Sequence, residues 1–337
     1  MRIIQILPEL DIGGVERHVI DLSNELAERG HDVLVVSNGG QMQNQLSGKV
    51  RHRSLPVHKK NPFTAWLCSM KISSWIRKEG WQLVHAHSRV PAWISLWVSR
   101  STNIPFVVTA HVDFGNKNPL IYYPYRKADI VICVSDAVKE GMKNCFYENT
   151  RVVLNGLDEP TYLWSEKTEE KLKFLFVGRL SPVKGLQDAL RALPKDLLWT
   201  LDVLGDGPQR QELESLTKEL GISERVFFRG YSDKVDYYMA NSSCLLFPSY
   251  TEGMPLTLAR AVQIGIPVIA SNIPSVSEMA GSNEGLIPPG DVQGWRCAIS
   301  DFISTRITKT KIPVSNIPTL KKMVDSDESV YSDLLCE

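Results

Sequence analysis

CLLFPSYTEGMPLTLARAVQIGIPVIAS, residues 244–271, reads as strand, turn, helix and strand in direct succession. Cys244–Pro248 and Val268–Ser271 are short runs rich in the apolar residues that strands favour. Between them a Gly253–Met254–Pro255 turn opens an apolar helix. Two strands joined through a helix are the unit of a parallel sheet. The turn also carries chemistry. A helix N-terminus presents unpaired N–H groups and a positive dipole end, which suit a phosphate. Glu252 stands directly before it, and a carboxylate there is better suited to sugar hydroxyls than to the anion itself.

The same alternation extends outward in both directions. Upstream, strands are expected at Arg2–Leu7, Asp32–Ser37, Leu83–His87, Phe106–His111, Ile130–Ser135 and Val152–Leu154. A helix between the first two places Val15, Val19, Leu22 and Leu26 on one face and ends near Gly30. The stretch Glu159–Lys171 carries no periodic apolar signal and reads as a linker. Strands then resume at Phe174–Gly178, Thr200–Leu204, Val226–Arg229, Cys244–Pro248, Val268–Ser271 and Gly285–Ile287, and a final helix covers Thr319–Leu335. The pattern predicts an α/β fold of two doubly wound domains, residues 1–158 and 159–318, with residues 319–337 as a terminal helix. Ligands of such sheets bind at the C-terminal strand ends, so the main site is expected in a cleft between the two domains.

Composition sets the bounds. The 337 residues are 43% hydrophobic and 23% charged, ordinary values for a globular chain. No apolar run approaches the roughly 20 residues of a membrane span, and MRIIQILPEL lacks the features of a signal peptide. A cytoplasmic protein is expected. The six cysteines form no CxxC pair and read as reduced, buried thiols, and no His/Cys cluster has zinc spacing. Net charge is zero but uneven. Residues 1–157 hold 19 Lys/Arg against 13 Asp/Glu, a balance of +6, and the remainder carries −6. All seven histidines lie in the first half. This asymmetry is either chance or the mark of a first domain facing an anionic surface or acceptor. Aromatic stripes at Phe63–Ile76 and Pro91–Val98 read as core, with an interfacial helix as the alternative.

Four further motifs sit at strand ends. PELDIGGVERH, residues 8–18, puts Gly13 and Gly14 before a helix, where backbone can approach a ligand. FVGRLSPVKGLQDAL, residues 176–190, holds Arg179 and Lys184 on a glycine-containing loop, two cations of the kind a diphosphate needs. GDGP, residues 205–208, reads as a structural turn. VVTAHVDFG, residues 107–115, ends a strand on His111, which is expected to point toward the ligand.

Together GGVERH (13–18), TAH (109–111), VSDAVKEG (134–141), LNGLD (154–158), GRLSPVKG (178–185), GDGP and FPSYTEGMPLTLARAVQIGIPVIAS (247–271) resemble the retaining GT-B glycosyltransferases of family 4 along nearly the whole chain. The resemblance implies two Rossmann-like domains facing across a cleft and a terminal helix crossing back to the first. It implies a nucleotide-sugar donor, with a UDP-sugar expected, and a glycan or lipid-linked saccharide acceptor. No cofactor, no metal and no nucleic-acid partner are expected. Arg179 and Lys184 would bind the donor diphosphate, with backbone N–H groups of the turn Gly253–Met254–Pro255 and the Gly13–Gly14 loop against the phosphates. Glu252 and His111 would meet the donor sugar. The catalytic set so implied is His111, Glu252, Arg179 and Lys184. Transfer of a hexosyl or N-acetylhexosaminyl group in surface polysaccharide or lipopolysaccharide assembly is the expected role, peripheral on the inner face of the plasma membrane.

One residue departs from that pattern. A second glutamate, eight residues after the first, accepts from the nucleotide ribose in the family, and Arg260 stands there instead. Arginine only donates. Either it donates to ribose or phosphate, or the donor is unusual, or the site is weakened. A sugar-nucleotide epimerase of the same fold and a non-catalytic donor-binding member are the alternatives.

Overall fold

The computed structural model describes residues 1–112, 119–143, 145, 149–166, 171–195 and 197–336. Asp113, Phe114 and Gly115 of the VVTAHVDFG motif and most of SEKTEEK lie outside them. Two compact units emerge, Met1–Gly156 with Pro318–Glu337, and Leu157–Ile317.

The first unit is built on β1 (Arg2–Ile6), β2 (Asp32–Ser37), β3 (Arg51–Ser54), β4 (Leu83–His87), β5 (Phe106–Ala110), β6 (Ile130–Cys133) and β7 (Thr150–Val152). They form one parallel sheet in the order β3-β2-β1-β4-β5-β6-β7. The order reverses at β1/β4, the switch point at which such sheets take ligands. Helices α1 (Gly14–Glu28), α2 (Pro62–Glu79), α3 (Arg89–Thr102), α4 (Tyr123–Arg126) and α5 (Asp136–Gly141) connect the strands. The second unit holds β8 (Leu172–Val177), β9 (Trp199–Leu204), β10 (Val226–Gly230), β11 (Cys244–Phe247) and β12 (Val268–Ala270), parallel in the order β10-β9-β8-β11-β12. Its helices are α6 (Leu186–Ala192), α7 (Arg210–Glu219), α8 (Val235–Ala240), α9 (Leu256–Ile264), α10 (Pro274–Ala280) and α11 (Val292–Thr305). The last helix, α12 (Leu320–Cys336), belongs to the first unit.

Both sheets arise from the apolar runs, with four corrections. Arg51–Ser54 is a strand that its polar sequence, RHRS, conceals; it lies at the sheet edge, where burial does not demand an apolar face. Val152–Leu154 starts two residues earlier, as Thr150–Val152. Gly285–Ile287 makes only an isolated bridge, Ile287 to Ser271, and no strand. Cys297 and Cys336 are exposed, whereas Cys68, Cys133 and Cys244 are buried.

Helix α2 overturns a further expectation. Asn61 Oδ1 accepts from the N–H groups of Phe63 and Thr64, Pro62 opens the helix, and Gly80 closes it at φ 69°. The buried face is the small-residue one, Ala65, Cys68, Ser69, Ile72, Ser73 and Ile76, and α2 packs there on α3. Phe63, Trp66, Leu67 and Met70 therefore project to the opposite side, where they are exposed rather than core. Trp93 and Trp97 are partly buried, and Trp93 stacks on Tyr123 at 5.8 Å.

Helix α12 completes the core of the first unit. Met323, Val324, Val330 and Tyr331 pack with Val19, Leu22 and Leu26 of α1. Arg29 reaches Asp325 at 2.6 Å and Glu328 at 2.8 Å, and His31 Nε2 meets Glu328 at 2.7 Å. Asp327 is buried on the same helix with neither carboxylate oxygen hydrogen-bonded. Burial pushes its pKa up to about 8, because an ion in that place loses its water.

Candidate active site

Sequence-predicted site residues occur in both units, at the C-terminal ends of strands on either side of each switch point. In the second unit they follow β8 and β11, which pair side by side. The loop after β8 runs Gly178, Arg179, Leu180, Ser181 and then a tight 3-10 turn, Pro182–Lys184. Gly185 ends that turn at φ 68°, and a Cβ there would stand 2.0 Å from the carbonyl oxygen of Pro248. Only glycine fits, so the cation-bearing loop is pinned against the chain leaving β11. Tyr250 N–H donates to Val183 O at 2.8 Å across the same seam.

GDGP is the buttress of this loop. Gly205, at φ 123°, would put a Cβ 2.0 Å from Gly178 O, and Gly207 would put one 2.3 Å from Leu180 O. Leu180 N–H donates to Asp206 O at 2.9 Å, and Gln209 N–H to Leu180 O at 3.1 Å. The glycines let two backbones touch, and the contact fixes the loop that carries Arg179 and Lys184.

Lys184 and Glu252 meet directly. Lys184 Nζ lies 2.6 Å from Glu252 Oε1, and Ser249 Oγ donates to that same oxygen at 2.7 Å. The lysine side chain is 26% exposed and the glutamate 13%. Lys184 Cδ passes 3.8 Å from the position a Gly178 Cβ would take, an ordinary contact distance. Arg179 is exposed and has no ion-pair partner among the described residues. Gly253, Met254 and Pro255 lead from Glu252 into α9, whose N-terminus has no side-chain cap. The pair, the exposed guanidinium and the helix end thus share the ligand end of one sheet.

Arg260 does something else. Its guanidinium donates to the carbonyl of Asp158 at 2.8 Å and pairs with that residue's carboxylate. It also stands 3.4 Å from Asp236 and 3.3 Å from Gln263 Oε1. Arg260 is 14% exposed. It ties the start of the second unit to α8 and α9.

In the first unit the sequence marked Gly13, Gly14 and His111. Gly13 is extended, with φ −177°, a conformation any residue adopts, and Gly14 is the first residue of α1. Added bulk at Gly13 would first meet the Glu16 carboxylate, the far end of a flexible side chain. His111 directly follows β5 and belongs to a larger assembly that sequence reasoning missed. Alternation puts Ile3, Leu83 and Val107 on one sheet face with Gln5, His85, His87 and Thr109 beyond them toward the ligand end. The apolar part of that face packs in the core shared with α1 and α12. The polar part is wired together. Tyr331 OH meets His85 Nδ1 at 2.7 Å, and His85 Nε2 meets Thr109 Oγ1 at 2.6 Å. His87 Nε2 lies 2.7 Å from Gln5 Oε1, and its Nδ1 lies 3.0 Å from His111 Nε2. Gln5 Nε2 donates to Tyr331 OH at 3.3 Å. His18 of α1 closes the group, its ring 5.0 Å from His111 and 5.5 Å from His87.

All four histidines are held neutral. Burial lowers His18 to about 4, with Asn155 opposing it, and lowers His85, His87 and His111 well below the ordinary range. Neighbouring histidines add to the effect, since two imidazolium ions cannot share so small a space. The available signal was the i, i+2 pair in LVHAH, two histidines on one face of a strand.

Two parallel α/β units with these strand orders define the GT-B architecture, and comparison with known proteins carries the assignment further. Residues 12–159 match the model of Glycosyltransferase Family 4, and residues 160–313 that of Glycosyl transferases group 1. N-acetyl-alpha-D-glucosaminyl L-malate synthase of Bacillus anthracis is 25% identical over 86% of this chain and 82% of its own. The lipopolysaccharide core biosynthesis glycosyltransferase LpsE of Rhizobium meliloti is 24% identical over 91% of each. Anabaena Alr3699/HepE, solved in complex with UDP and glucose, superposes with a TM-score of 0.85 at 20% identity, over 98% of this chain and 99% of that one. The chain belongs to the family-4 glycosyltransferases of GT-B fold.

Proposed function

We propose that this chain transfers a hexosyl or N-acetylhexosaminyl group, with retention and without a metal, from a UDP-sugar to a glycan or lipid-linked acceptor in surface polysaccharide or lipopolysaccharide assembly. The observation that carries this reading is the Lys184–Glu252 pair at the ends of β8 and β11. Cleavage of a sugar–phosphate bond puts negative charge on the diphosphate and positive charge on the anomeric carbon. Lys184, Arg179 and the α9 N-terminus would stabilise the first. Glu252 holds Lys184 and Ser249 through Oε1, and its Oε2 would accept from a sugar hydroxyl. A carboxylate neutralised by a lysine is a poor nucleophile. That favours attack on the donor's front face, with the leaving phosphate taking the acceptor's proton, over a double displacement. His111 is neutral and would hydrogen-bond the sugar as donor or acceptor.

Arg260 acts in this reading as a strut rather than as a ribose ligand. Asp158, which it holds, is half-exposed. The +6 balance of residues 1–157 and the exposed Phe63, Trp66, Leu67 and Met70 beside exposed Lys59, Lys60 and Lys71 support peripheral docking on anionic lipid at the cytoplasmic face.

The test is a thermal-shift screen across UDP-, GDP-, ADP-, dTDP- and CMP-sugars, since a true donor stabilises the fold by mass action. A UDP-sugar should raise Tm in the native chain and not in Lys184→Ala, and the anomeric configuration of the product, read by NMR, should match the donor's. Stabilisation by none of them, or an inverted product, refutes the assignment. Isomerised donor in the absence of acceptor would identify an epimerase instead. Arg260 favours a second reading, a donor-binding member without turnover, whose signature is binding with no transfer in a broad acceptor screen.

A further inference from the structure

His18, His87 and His111 come from α1, the end of β4 and the loop after β5, and one ring nitrogen from each lies within 4.8 Å of the other two. We propose that they form a transition-metal site that takes Zn2+ through three imidazole nitrogens, with water as the fourth ligand. Three features of the site support this. Tetrahedral zinc at about 2.0–2.1 Å from each nitrogen needs ligand atoms roughly 3.3–3.5 Å apart. His87 Nδ1 and His111 Nε2, at 3.0 Å, are already near that spacing. A small outward movement admits an ion.

The second feature is His18. It is 4% exposed, and neither ring nitrogen makes a hydrogen bond of ordinary geometry, although Asn155 lies close enough to favour its charged form. A buried imidazole left so is costly, and an ion is one way to satisfy it. The third is orientation. Gln5 Nε2 donates to Tyr331, so Gln5 Oε1 accepts from His87 Nε2–H. That fixes the His87 tautomer and aims its Nδ1 lone pair at His111 and the trio. A partner on the far nitrogen is how metal-binding histidines are usually held. Burial keeps all three rings neutral, so no proton has to leave for metal to bind. The proton on His111 Nε2, shared with His87 Nδ1, shifts to His111 Nδ1.

Zinc here would take Nε2 of His111, the residue proposed above to hydrogen-bond the donor sugar, and hold its ring on the metal, so bound metal should inhibit transfer. That consequence rests on the proposed role of His111; the binding itself does not.

The experiment is calorimetric titration of chelator-treated protein with ZnCl2, in a Cys297→Ser/Cys336→Ser background that removes the exposed thiols. One zinc per chain is expected, and Co2+ in its place should give the visible absorption of a four-coordinate nitrogen site. His18→Ala should weaken binding at least about 100-fold and Gln5→Met roughly 10- to 100-fold, the range for a group that orients a ligand. His18→Ala is the primary variant because His18 supports no ordinary hydrogen bond, and its circular dichroism should match the parent. Absence of binding at millimolar ZnCl2 overturns the site, as does undiminished affinity in a folded His18→Ala. Specific zinc binding with no inhibition would uphold the site and count against the role given to His111.

Discussion

The two units hold the polar residues of their strand ends in opposite ways. The first buries Gln5, His85, His87, Thr109 and Tyr331 as an uncharged, mutually hydrogen-bonded set. The second keeps Lys184, Glu252, Arg260, Asp158 and Asp236 charged and partly in contact with water. The difference teaches where each unit is vulnerable. A neutral network fails when pH forces a charge on it, whereas ion pairs fail when a partner is removed or screened.

The largest effect is expected in the second unit. Lys184→Ala should lower kcat/KM roughly 100- to 1000-fold, as loss of one preorganised donor to a developing anion does. Its Tm should move little, because the pair is partly exposed. Steady-state kinetics beside a melting curve check both halves. Unfolding of the variant would erase the contrast between the units.

pH should act chiefly through the first unit, with two limbs of opposite sign. The histidines are depressed when folded, so the unfolded chain binds more protons below about pH 6.5 and stability falls with falling pH. From His18 alone, the loss between pH 7.5 and pH 5 should be about 2 kcal/mol. Asp327 is raised to about 8, so its contribution is full below the ordinary carboxylate value and is lost as pH rises toward 8. Above about pH 7 this limb outweighs that of the histidines. Stability should peak near pH 7 in chemical denaturation, and Asp327→Asn should flatten the alkaline side and steepen the acid side, where the two limbs oppose each other.

Arg260→Ala should cost roughly 1–2 kcal/mol through its lost bonds to Asp158 and Asp236. Arg260→Glu should cost more, since it would set three carboxylates together. Lost activity in that variant would therefore report on folding, and Arg260→Gln, which both donates and accepts, is the cleaner probe of ribose contact. Denaturant midpoints for the three, measured beside donor KM, separate strut from ligand.

The smallest effect is expected from Tyr331→Phe, which removes one hydroxyl from the neutral network. About 1 kcal/mol should be lost, with donor affinity unchanged. Altered donor affinity would show that the network reaches the chemistry.

Much of this was legible in the sequence, for a physical reason. Buried parallel strands must be largely apolar, so β1, β2, β4 to β6, β8, β9, β11 and β12 announce themselves as short runs between helical periods. Arg51–Ser54 does not, because an edge position places little demand on composition. The motif GRLSPVKG and the EGMP turn marked Arg179, Lys184 and Glu252, but no local pattern says that residues 68 apart will touch. That follows from β8 and β11 being neighbours, a property of sheet order. The histidine assembly was hidden more deeply. It needs β1, β4 and β5 side by side and a helix from the far end of the chain. Arg260 was visible as an anomaly, and only the structure gives its partners, Asp158 and Asp236.

The position of α12 has a consequence for synthesis. The first unit needs Met323, Val324, Val330 and Tyr331 to close its core, yet the ribosome makes all of Leu157–Ile317 before them. While the second unit emerges and folds, the nascent first sheet carries an open apolar face and a histidine, His85, still awaiting its tyrosine. A chain released early, just short of residue 318, would be a client for chaperones and proteases even though nearly every motif residue had already been translated.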